Sequence, residues 1–184
     1  MNIFVAFKTE MDLNNAQRTA CARHAGAARF AYNWGIARKK EAYDNGQAVP
    51  SAIDLHRELN ALKKTELAWM YEVSKCAPQE ALRDLDKAFK GFFRGLKQSQ
   101  KIGFPKFKKK SYLDSFRLTG TIKTQKNEIQ LPRFGSIKLK AFFRTWNSAA
   151  YFEARRSFTS GPLMEFCRGC YKNASPNKVP RPTA

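Results

Sequence analysis

The residues from Gly103 to Lys110, GFPKFKKK, interleave cations with aromatic rings in a way that suits nucleic acid. Lysines meet phosphates as point charges, and flat rings stack on unpaired bases whatever the base. Proline fixes φ and removes a backbone donor, which predicts a stiff extended arm. The predicted phosphate contacts are Lys106, Lys108, Lys109 and Lys110, and the predicted stacking residues are Phe104 and Phe107. Packing of the two rings against the protein, and a solvated basic loop, are the alternatives.

The charge of the chain supports a nucleic-acid partner. The net charge is +19, and residues 101–140 carry 11 basic but only 2 acidic side chains, against 16 and 11 in residues 1–100. A protein that neutralises several phosphates binds DNA or RNA in a salt-dependent way. The middle block, which also holds Arg117 as a predicted phosphate contact, is therefore the predicted electrostatic footprint.

A second set of candidate contacts lies in the segment 26–34, GAARFAYNW, and just after it. Aromatic and small residues recur there at helical spacing, and this stripe, with Ala27, Phe30 and Trp34, is predicted to face the core. Other side chains of this helix project away from the stripe, where they can contact a sugar-phosphate backbone, be solvated or complement the helix dipole. The candidates are Arg29, Asn33 and Lys39.

Catalytic and metal chemistry find little support in the sequence. Two-metal nucleases need several converging carboxylates, and after Asp86 only four acidic residues remain, none in an apolar strand suited to a metal-binding core. No catalytic residue is assigned, because no phosphate loop or dinucleotide fingerprint occurs either. Cys167 and Cys170 form half of a zinc site, and a chance pair of thiols is the alternative.

Composition and length also indicate the cellular compartment and the number of domains. Four scattered cysteines do not make a disulfide scaffold, which favours a cytosolic protein. No apolar run approaches the roughly 20 residues of a membrane span, and the N-terminus lacks the pattern of a secretory signal. The length allows one domain, and the 43% hydrophobic content is enough for a core.

Hydrophobic spacing predicts one strand followed by a helical block. The strand covers Ile3 to Phe7. The first helix begins at Asn14 or Asn15 and runs to about Tyr43, with Gly46 in the left-handed conformation beyond it. The second helix opens at Pro50-Ser51, a short element surrounds Trp69 to Val73, and a further helix starts at Pro78. The predicted apolar faces of these last two helices are Ile53, Leu55, Leu59 and Leu62, and Leu82, Leu85, Phe89, Phe92 and Phe93.

After the arm, the pattern changes to short strands. They are predicted at Ser115 to Thr119, Thr121 to Thr124, Glu128 to Leu131 and Ser136 to Lys140, with turns at Lys126-Asn127 and at Pro132 to Gly135. Residues 141–184 show no countable period, and their Pro-rich last twelve residues are predicted to be disordered.

Several separate motifs resemble the N-terminal half of the TnpB (OrfB) proteins of bacterial insertion sequences. They are FKTEMDLNNAQ, HAGAARFAYNWGIARKKEAY, SAIDLHRELNALKK, WMYEVSKCAPQEALRDLDKAFKGFFRGLK, GFPKFKKK, SFRLTG and IQLPRFGSIKLK. Their order and spacing match over residues 1–140. Members of this family are identified as transposases with a helix-turn-helix.

The resemblance implies an α+β fold in which a helical recognition insertion interrupts a small antiparallel β-barrel, the wedge domain. On that basis residues 1–10 are the first wedge strand, 11–100 the helical recognition block and 101–140 the basic β wedge block. The family also implies an RNA-guided DNA endonuclease related to type V CRISPR effectors, whose wedge and recognition parts hold guide RNA and target DNA. Cutting, with its Mg and Zn, belongs to a later RuvC-like domain.

Beyond Lys140 the family pattern is not found, and residues 141–184 are expected to be a divergent tail, frameshifted or disordered. The expectation is therefore a chain truncated before the RuvC-like domain, which binds guide RNA or DNA in the bacterial cytoplasm, at the nucleoid, without cofactors and without cutting. The alternatives are a helix-turn-helix regulator of its own element, an active transposition enzyme, and a product that does not fold stably. A preferred duplex operator would distinguish the regulator, and Mg²⁺-dependent cleavage would distinguish the enzyme.

Overall fold

The computed structural model describes residues 6–110, 114–125, 127–140, 149–157 and 161–167. These residues form three α-helices, a 3₁₀ helix and six strands, so the predicted α+β class is confirmed. In chain order the elements are β1 (Ala6–Asp12), α1 (Asn15–Asp44), α2 (Ala52–Leu62), the 3₁₀ helix (Ala68–Glu72), α3 (Cys76–Lys97), β2 (Ser115–Gln125), β3 (Glu128–Leu131), β4 (Gly135–Leu139), β5 (Ala149–Ser157) and β6 (Gly161–Cys167).

The ends of α1 follow from local side-chain chemistry, as predicted. The Gln17 amide donates to the Asn14 side chain at 2.8 Å, and the Gln17 side chain accepts from the Asn14 amide at 3.1 Å. This reciprocal pair satisfies two backbone donors at the helix start. Beyond the other end, Gly46 has φ +67°, a conformation that glycine adopts without steric cost.

The second and third helices begin close to the predicted positions. Ser51 caps α2, and α3 starts at Cys76, which leaves Pro78 in the first turn, where its missing N–H costs nothing. Two predicted core residues are corrected, because Ile53 is 66% and Phe93 54% exposed. Ile53 lies two residues from the buried Leu55, and two residues along a helix point to nearly opposite sides.

The helices α1 and α3 run parallel in close contact, and α2 runs beside α3 in the opposite direction, with Ala52 near Asp86 and Asn60 near Gln79. Contacts advance in the same direction along both helices, from His24 beside Ser74 to Lys39 beside Asp86. The helices approach closely at Gly35, where an added Cβ would lie 2.7 Å from a methyl carbon of Leu85. Glycine at this position lets the two helices pack more tightly than a larger residue would allow.

The strands pair antiparallel in the order β1-β4-β3-β2-β5-β6, and β6 pairs in turn with β1, which closes the order. The two strands predicted at 115–119 and 121–124 are one strand, β2. Gly120 interrupts its pairing with a φ of +109° and a register shift between Thr119 and Ile122, and this explains why the sequence resembled two strands. The turn predicted at Pro132 to Gly135 joins β3 to β4.

The first and last strands differ from the sequence-based prediction. The predicted Ile3 to Phe7 strand lies partly outside the described residues, and β1 covers Ala6–Asp12 instead. Residues 141–184 showed no period in the sequence, yet β5 and β6 occur there and pair with β2 and β1. The last twelve residues and Lys126 lie outside the described part of the chain.

Helices and strands share one hydrophobic core. The His24 ring of α1 packs against the rings of Phe116 on β2 and Phe134 in the β3–β4 turn, with centroids 5.3 and 4.4 Å away. The Cys76 thiol donates to the Thr119 carbonyl at 3.2 Å, and the Gln17 side chain donates to the Ser136 carbonyl at 3.0 Å. The N-terminal ends of α1 and α3 are thereby tied to the sheet.

Candidate nucleic-acid interface

Residues 101–110, called the basic arm from this point, form neither helix nor strand and lie across α1 and α3. The Asn33 side chain holds the arm by a reciprocal pair of hydrogen bonds. Its amide donates to the Lys108 carbonyl at 2.9 Å, and its oxygen accepts from the Lys108 amide at 2.8 Å. Asn33 was predicted to contact a nucleic acid directly, whereas in the structure it positions the arm.

Apolar contacts hold the first half of the basic arm. The Phe104 ring meets the rings of Phe89 and Phe92 edge-on, at centroid distances of 5.3 and 5.5 Å. Ile102 covers Gly95, where an added Cβ would lie 2.1 Å from its Cδ1 atom. Phe104 nevertheless keeps 47% of its surface exposed and Phe107 keeps 57%. Exposed faces of both rings thus remain accessible to a ligand.

The cations of the basic arm point mainly to solvent. The Lys108 ammonium lies 4.2 Å from the centroid of the Tyr32 ring, close enough for a cation–π interaction. Burial, with the nearby charge of Asp84 as a smaller cause, raises the pKa of Tyr32, so this phenol stays neutral. The arm lysines that are exposed and have no carboxylate partner among the described residues are Lys101, Lys106, Lys109 and Lys110.

Three other predicted contacts make ion pairs within the protein. Arg29 pairs with Asp114, and Arg117 on β2 pairs with Asp84 on α3. Lys39 is 5% exposed. Its ammonium donates to Asp86 at 2.6 Å and to the Pro50 carbonyl at 2.7 Å. The structure therefore places Arg29, Arg117 and Lys39 in contacts between elements.

A second basic surface, which the sequence did not reveal, lies between the helical block and the sheet. It is a cleft of about 1160 Å³ bounded by α2, the 3₁₀ helix, the start of α3, β2 and the β3–β4 turn. None of the described residues that line this basic cleft is acidic. Its cations are Lys63, Lys64, Lys75, Lys123 and Arg133.

The polar groups of the basic cleft complement its cations. The side chains of Gln79, Gln130 and Thr121 line it and carry neutral hydrogen-bonding groups. Lys63 is largely buried and donates to the Asn60 side chain at 3.0 Å, and burial lowers its pKa. The five cations come from four places in the sequence, of which only Lys63-Lys64 is a pair, so no longer basic run marks the cleft. Acidic residues such as Glu66, Glu72 and Glu80 lie close to these cations in the sequence but do not line the cleft, so the sequence alone carried no signal for it.

The exposed face of α3 adds a third group of cations. Residues three and four positions apart lie on the same side of a helix. On α3 this spacing aligns four exposed basic side chains, Lys87, Lys90, Arg94 and Lys97. This row was detectable from the sequence by counting the charged residues at helical spacing.

Metal ligation finds no support in the described part of the chain, where no three His, Cys, Asp or Glu side chains come together. Cys167 is the last residue of β6, and Cys170 lies outside the described residues. None of the described helices has the length and apolar character needed to cross a membrane.

Known proteins match this chain along most of its length. The helix-turn-helix domain family named for OrfB of IS605 matches residues 1–48. A candidate RNA-guided DNA endonuclease of Escherichia coli K12, InsQ, is 30% identical over 138 residues, which cover 73% of this chain and 33% of InsQ. The chain belongs to the TnpB (OrfB) family. This confirms the family resemblance that the sequence motifs indicated.

Further TnpB relatives carry the same kind of name. A candidate RNA-guided DNA endonuclease of Streptomyces pristinaespiralis is 32% identical over 104 residues, 56% of this chain and 25% of that protein. One of Mycobacterium tuberculosis is 27% identical over 154 residues, 72% of this chain and 33% of that protein. The chain thus spans a quarter to a third of the length of these relatives.

The helix-turn-helix match corresponds to an unexpected set of elements. Within residues 1–48 the described residues form β1, α1 and the turn after it. The next helix, α2, starts at Ala52, beyond the matched region. In this TnpB-family chain the matched region is therefore a strand followed by one long helix.

Proposed function

We propose that this chain binds nucleic acid, guide RNA together with DNA, through the basic cleft and the basic arm. The observation that carries the proposal is the cleft itself, where the described lining residues include five cations and no acidic residue, between helices and sheet. Relatives named as candidate RNA-guided DNA endonucleases support this choice of partners. For a full-length protein of this family that carries such a surface, we propose RNA-guided DNA cleavage.

The two surfaces suit different parts of a nucleic acid. Exposed lysines of the arm can neutralise phosphates, and this contribution is independent of sequence. The cleft adds amide and hydroxyl side chains, such as Gln79 and Thr121, to its cations. Amides and hydroxyls can hydrogen-bond to base edges, whereas phosphate contacts mainly position the strand. The cleft is therefore the better candidate for reading sequence.

We also propose that the closed set of strands is a wedge-type β-barrel and that the helices are its recognition insertion. The order of elements supports this proposal, since α1, α2 and α3 all lie between β1 and β2 in the chain. The cleft then lies where the insertion meets the barrel.

The test is the salt dependence of binding to a short single-stranded RNA and to a short DNA duplex. Two variants each neutralise one surface, Lys64→Gln with Lys75→Gln and Lys123→Gln for the cleft, and Lys106→Gln with Lys109→Gln and Lys110→Gln for the arm. Each variant is expected to bind more weakly. The slope of log K against log salt should flatten by about 0.7–0.9 for every phosphate that the variant no longer neutralises.

A matched control removes the same charge elsewhere. Lys40→Gln, Arg57→Gln and Lys138→Gln replace exposed cations that belong neither to the arm, nor to the cleft lining, nor to the row on α3. The control should retain most of the wild-type affinity. If all three triple variants weaken binding equally, the interaction is with net charge alone and the proposed surfaces are wrong.

A further inference from the structure

An aromatic groove on α1 lies next to the basic arm and has no role in the proposal above. It has a volume of about 790 Å³ and is lined by residues of α1 and of the 3₁₀ helix. Three aromatic side chains form its apolar wall, Phe30, Trp34 and Trp69. Phe30 and Trp34 were predicted to face the core, and the structure places them half-buried, with one side on the core and one side on the groove.

The groove is preformed and open. Phe30 and Trp69 meet edge-to-face with their centroids 5.5 Å apart, which fixes the orientation of both rings. Trp69 still exposes 43% of its surface. At Gly26, which also lines the groove, an added Cβ would meet nothing within 4 Å, so space remains above the helix. Open aromatic surface of this kind commonly marks a binding site.

The rim of the groove carries more basic than acidic side chains, since Arg23, Arg29 and Glu72 line it. Asn33 lines the groove and also holds the basic arm at Lys108. Arg29 lines it too, and pairs with Asp114 further along the chain. The arm segment with Lys109 and Lys110 therefore lies between two anchor points on the rim. At the other end, Arg23 lines the groove and remains 61% exposed in its pair with Glu72.

We infer that the aromatic groove binds an unpaired base of the bound nucleic acid, with the adjoining phosphates on the cations of its rim. The inference rests on the proposed nucleic-acid binding, and it assigns one unpaired nucleotide of the bound strand to the groove. A base needs a flat apolar wall beside cations, and the groove offers both. Charge complementarity selects this occupant over an amphipathic protein helix. The lining carboxylate Glu72 is paired with Arg23, whereas Lys109 and Lys110 beside the rim are exposed and have no carboxylate partner among the described residues.

The test compares two single strands of equal length and charge, one with bases and one with abasic sugars throughout. The free energy of stacking one base on an aromatic ring should make the base-bearing strand bind about tenfold more tightly than the abasic strand. In a Trp146→Phe background, whose remaining tryptophans line the groove, the base-bearing strand should quench tryptophan fluorescence and the abasic strand should not. Equal affinities and equal quenching for the two strands would overturn the inference.

A pair of variants locates the effect. Trp69→Leu removes a groove ring, whereas Tyr43→Leu removes a ring of α1 that is 76% exposed and does not line the groove. The preference for bases should fall severalfold in the first variant and persist in the second. A preference unchanged by Trp69→Leu would place the stacking elsewhere, for example on Phe107, and reject the groove.

The outcomes also separate this inference from the proposed function. If neither strand nor a DNA duplex binds at low salt, nucleic-acid binding itself fails. If both strands bind equally and Trp69→Leu instead abolishes a concentration-dependent self-association, the groove binds a second copy of the chain. Either result would reject a base as the occupant.

Discussion

At the scale of single residues, His24 is the most constrained polar group in the interface between helices and sheet. It is 1% exposed. Its Nδ1 lies 2.7 Å from the Ala20 carbonyl, and its Nε2 accepts from the Ser74 amide at 2.9 Å. These partners require a neutral ring with its proton on Nδ1. Burial lowers the pKa of His24 below its usual 6.5, and the hydrogen bond to Ala20 opposes this shift.

This environment predicts a loss of stability in mild acid. Because the folded state disfavours the protonated ring, the stabilising contribution is complete above the unfolded pKa of 6.5 and falls as the pH drops below it. The free energy of unfolding should decrease by up to about 1.4 kcal/mol per pH unit there. Urea denaturation at a series of pH values measures this slope.

His24→Gln is expected to be less stable at neutral pH but to lose most of the slope below pH 6.5. The matched control is His56→Gln, since burial also lowers the pKa of His56, on the partly exposed side of α2. An undiminished slope in the His24 variant would assign the acid sensitivity to other groups.

Residue type shows which side chains of the candidate interface are charged, but it could not predict which of these charges are paired within the protein. Arg29, Lys39 and Arg117 find their aspartates 85, 47 and 33 positions away in the chain. Pairing over such distances depends on the packing of whole elements. Lys101, Lys106, Lys109 and Lys110 of the arm have no such partner among the described residues, and the predicted role of the arm stays a prediction. Lys39 is the clearest case. Its ammonium is buried, and burying it without Asp86 would lower the free energy of unfolding by several kcal/mol.

At the scale of elements, the close contact between α1 and α3 determines where the arm and groove residues lie. At Gly35 an added Cβ would lie 2.7 and 2.9 Å from methyl carbons of Leu85 and Leu82. Both leucines are fully buried, so neither can easily move away. Gly26, on the same helix, has open space instead. The two glycines should therefore respond to the same substitution in opposite ways.

Gly35→Ala is expected to destabilise the chain by about 1–3 kcal/mol through overpacking. Gly26→Ala should stabilise it by about 0.4–1 kcal/mol, because alanine restricts the unfolded chain and has the higher helix propensity. Thermal unfolding followed by circular dichroism at 222 nm measures both. Equal shifts in the same direction would mean that α1 and α3 are not closely packed at Gly35.

Periodicity predicted the helices well and the strands less well, for a physical reason. Helices α1 and α2 carry their own capping residues, so their ends are encoded locally. Strands depend on partners distant in sequence, as β5 depends on β2 and β6 on β1. The basic cleft was missed for the same reason, because its cations converge only when helices and sheet pack together.

At the scale of the whole molecule, the helical block and the sheet are expected to unfold as one unit. His24 with its two phenylalanines, the Arg117–Asp84 pair and the Cys76–Thr119 contact all cross between them. Because of these contacts, neither part can open locally without breaking contacts to the other part, and this raises the free energy of local opening. The basic cleft, which needs both parts, would then be present only in the fully folded chain.

Ile137→Ala tests this coupling, since Ile137 is a fully buried residue of β4. The cavity should cost about 2–5 kcal/mol. Hydrogen exchange should become faster by a similar factor at the protected amides of α1 and of β2. Ile53→Ala, at a 66% exposed position, is the control and should change little. Faster exchange confined to the strands would show that the sheet opens independently.

The closing pair of strands has a consequence for synthesis of the chain. β1 is made early, yet its partners come late, since Met11 pairs with Leu139 and Thr9 with Met164. At usual translation rates this strand must wait on the order of ten seconds for its partners. An unpaired strand edge is a template for aggregation during that time. The long, self-capped helix that follows β1 can form first, and it would keep the nascent chain compact until the ring of strands closes.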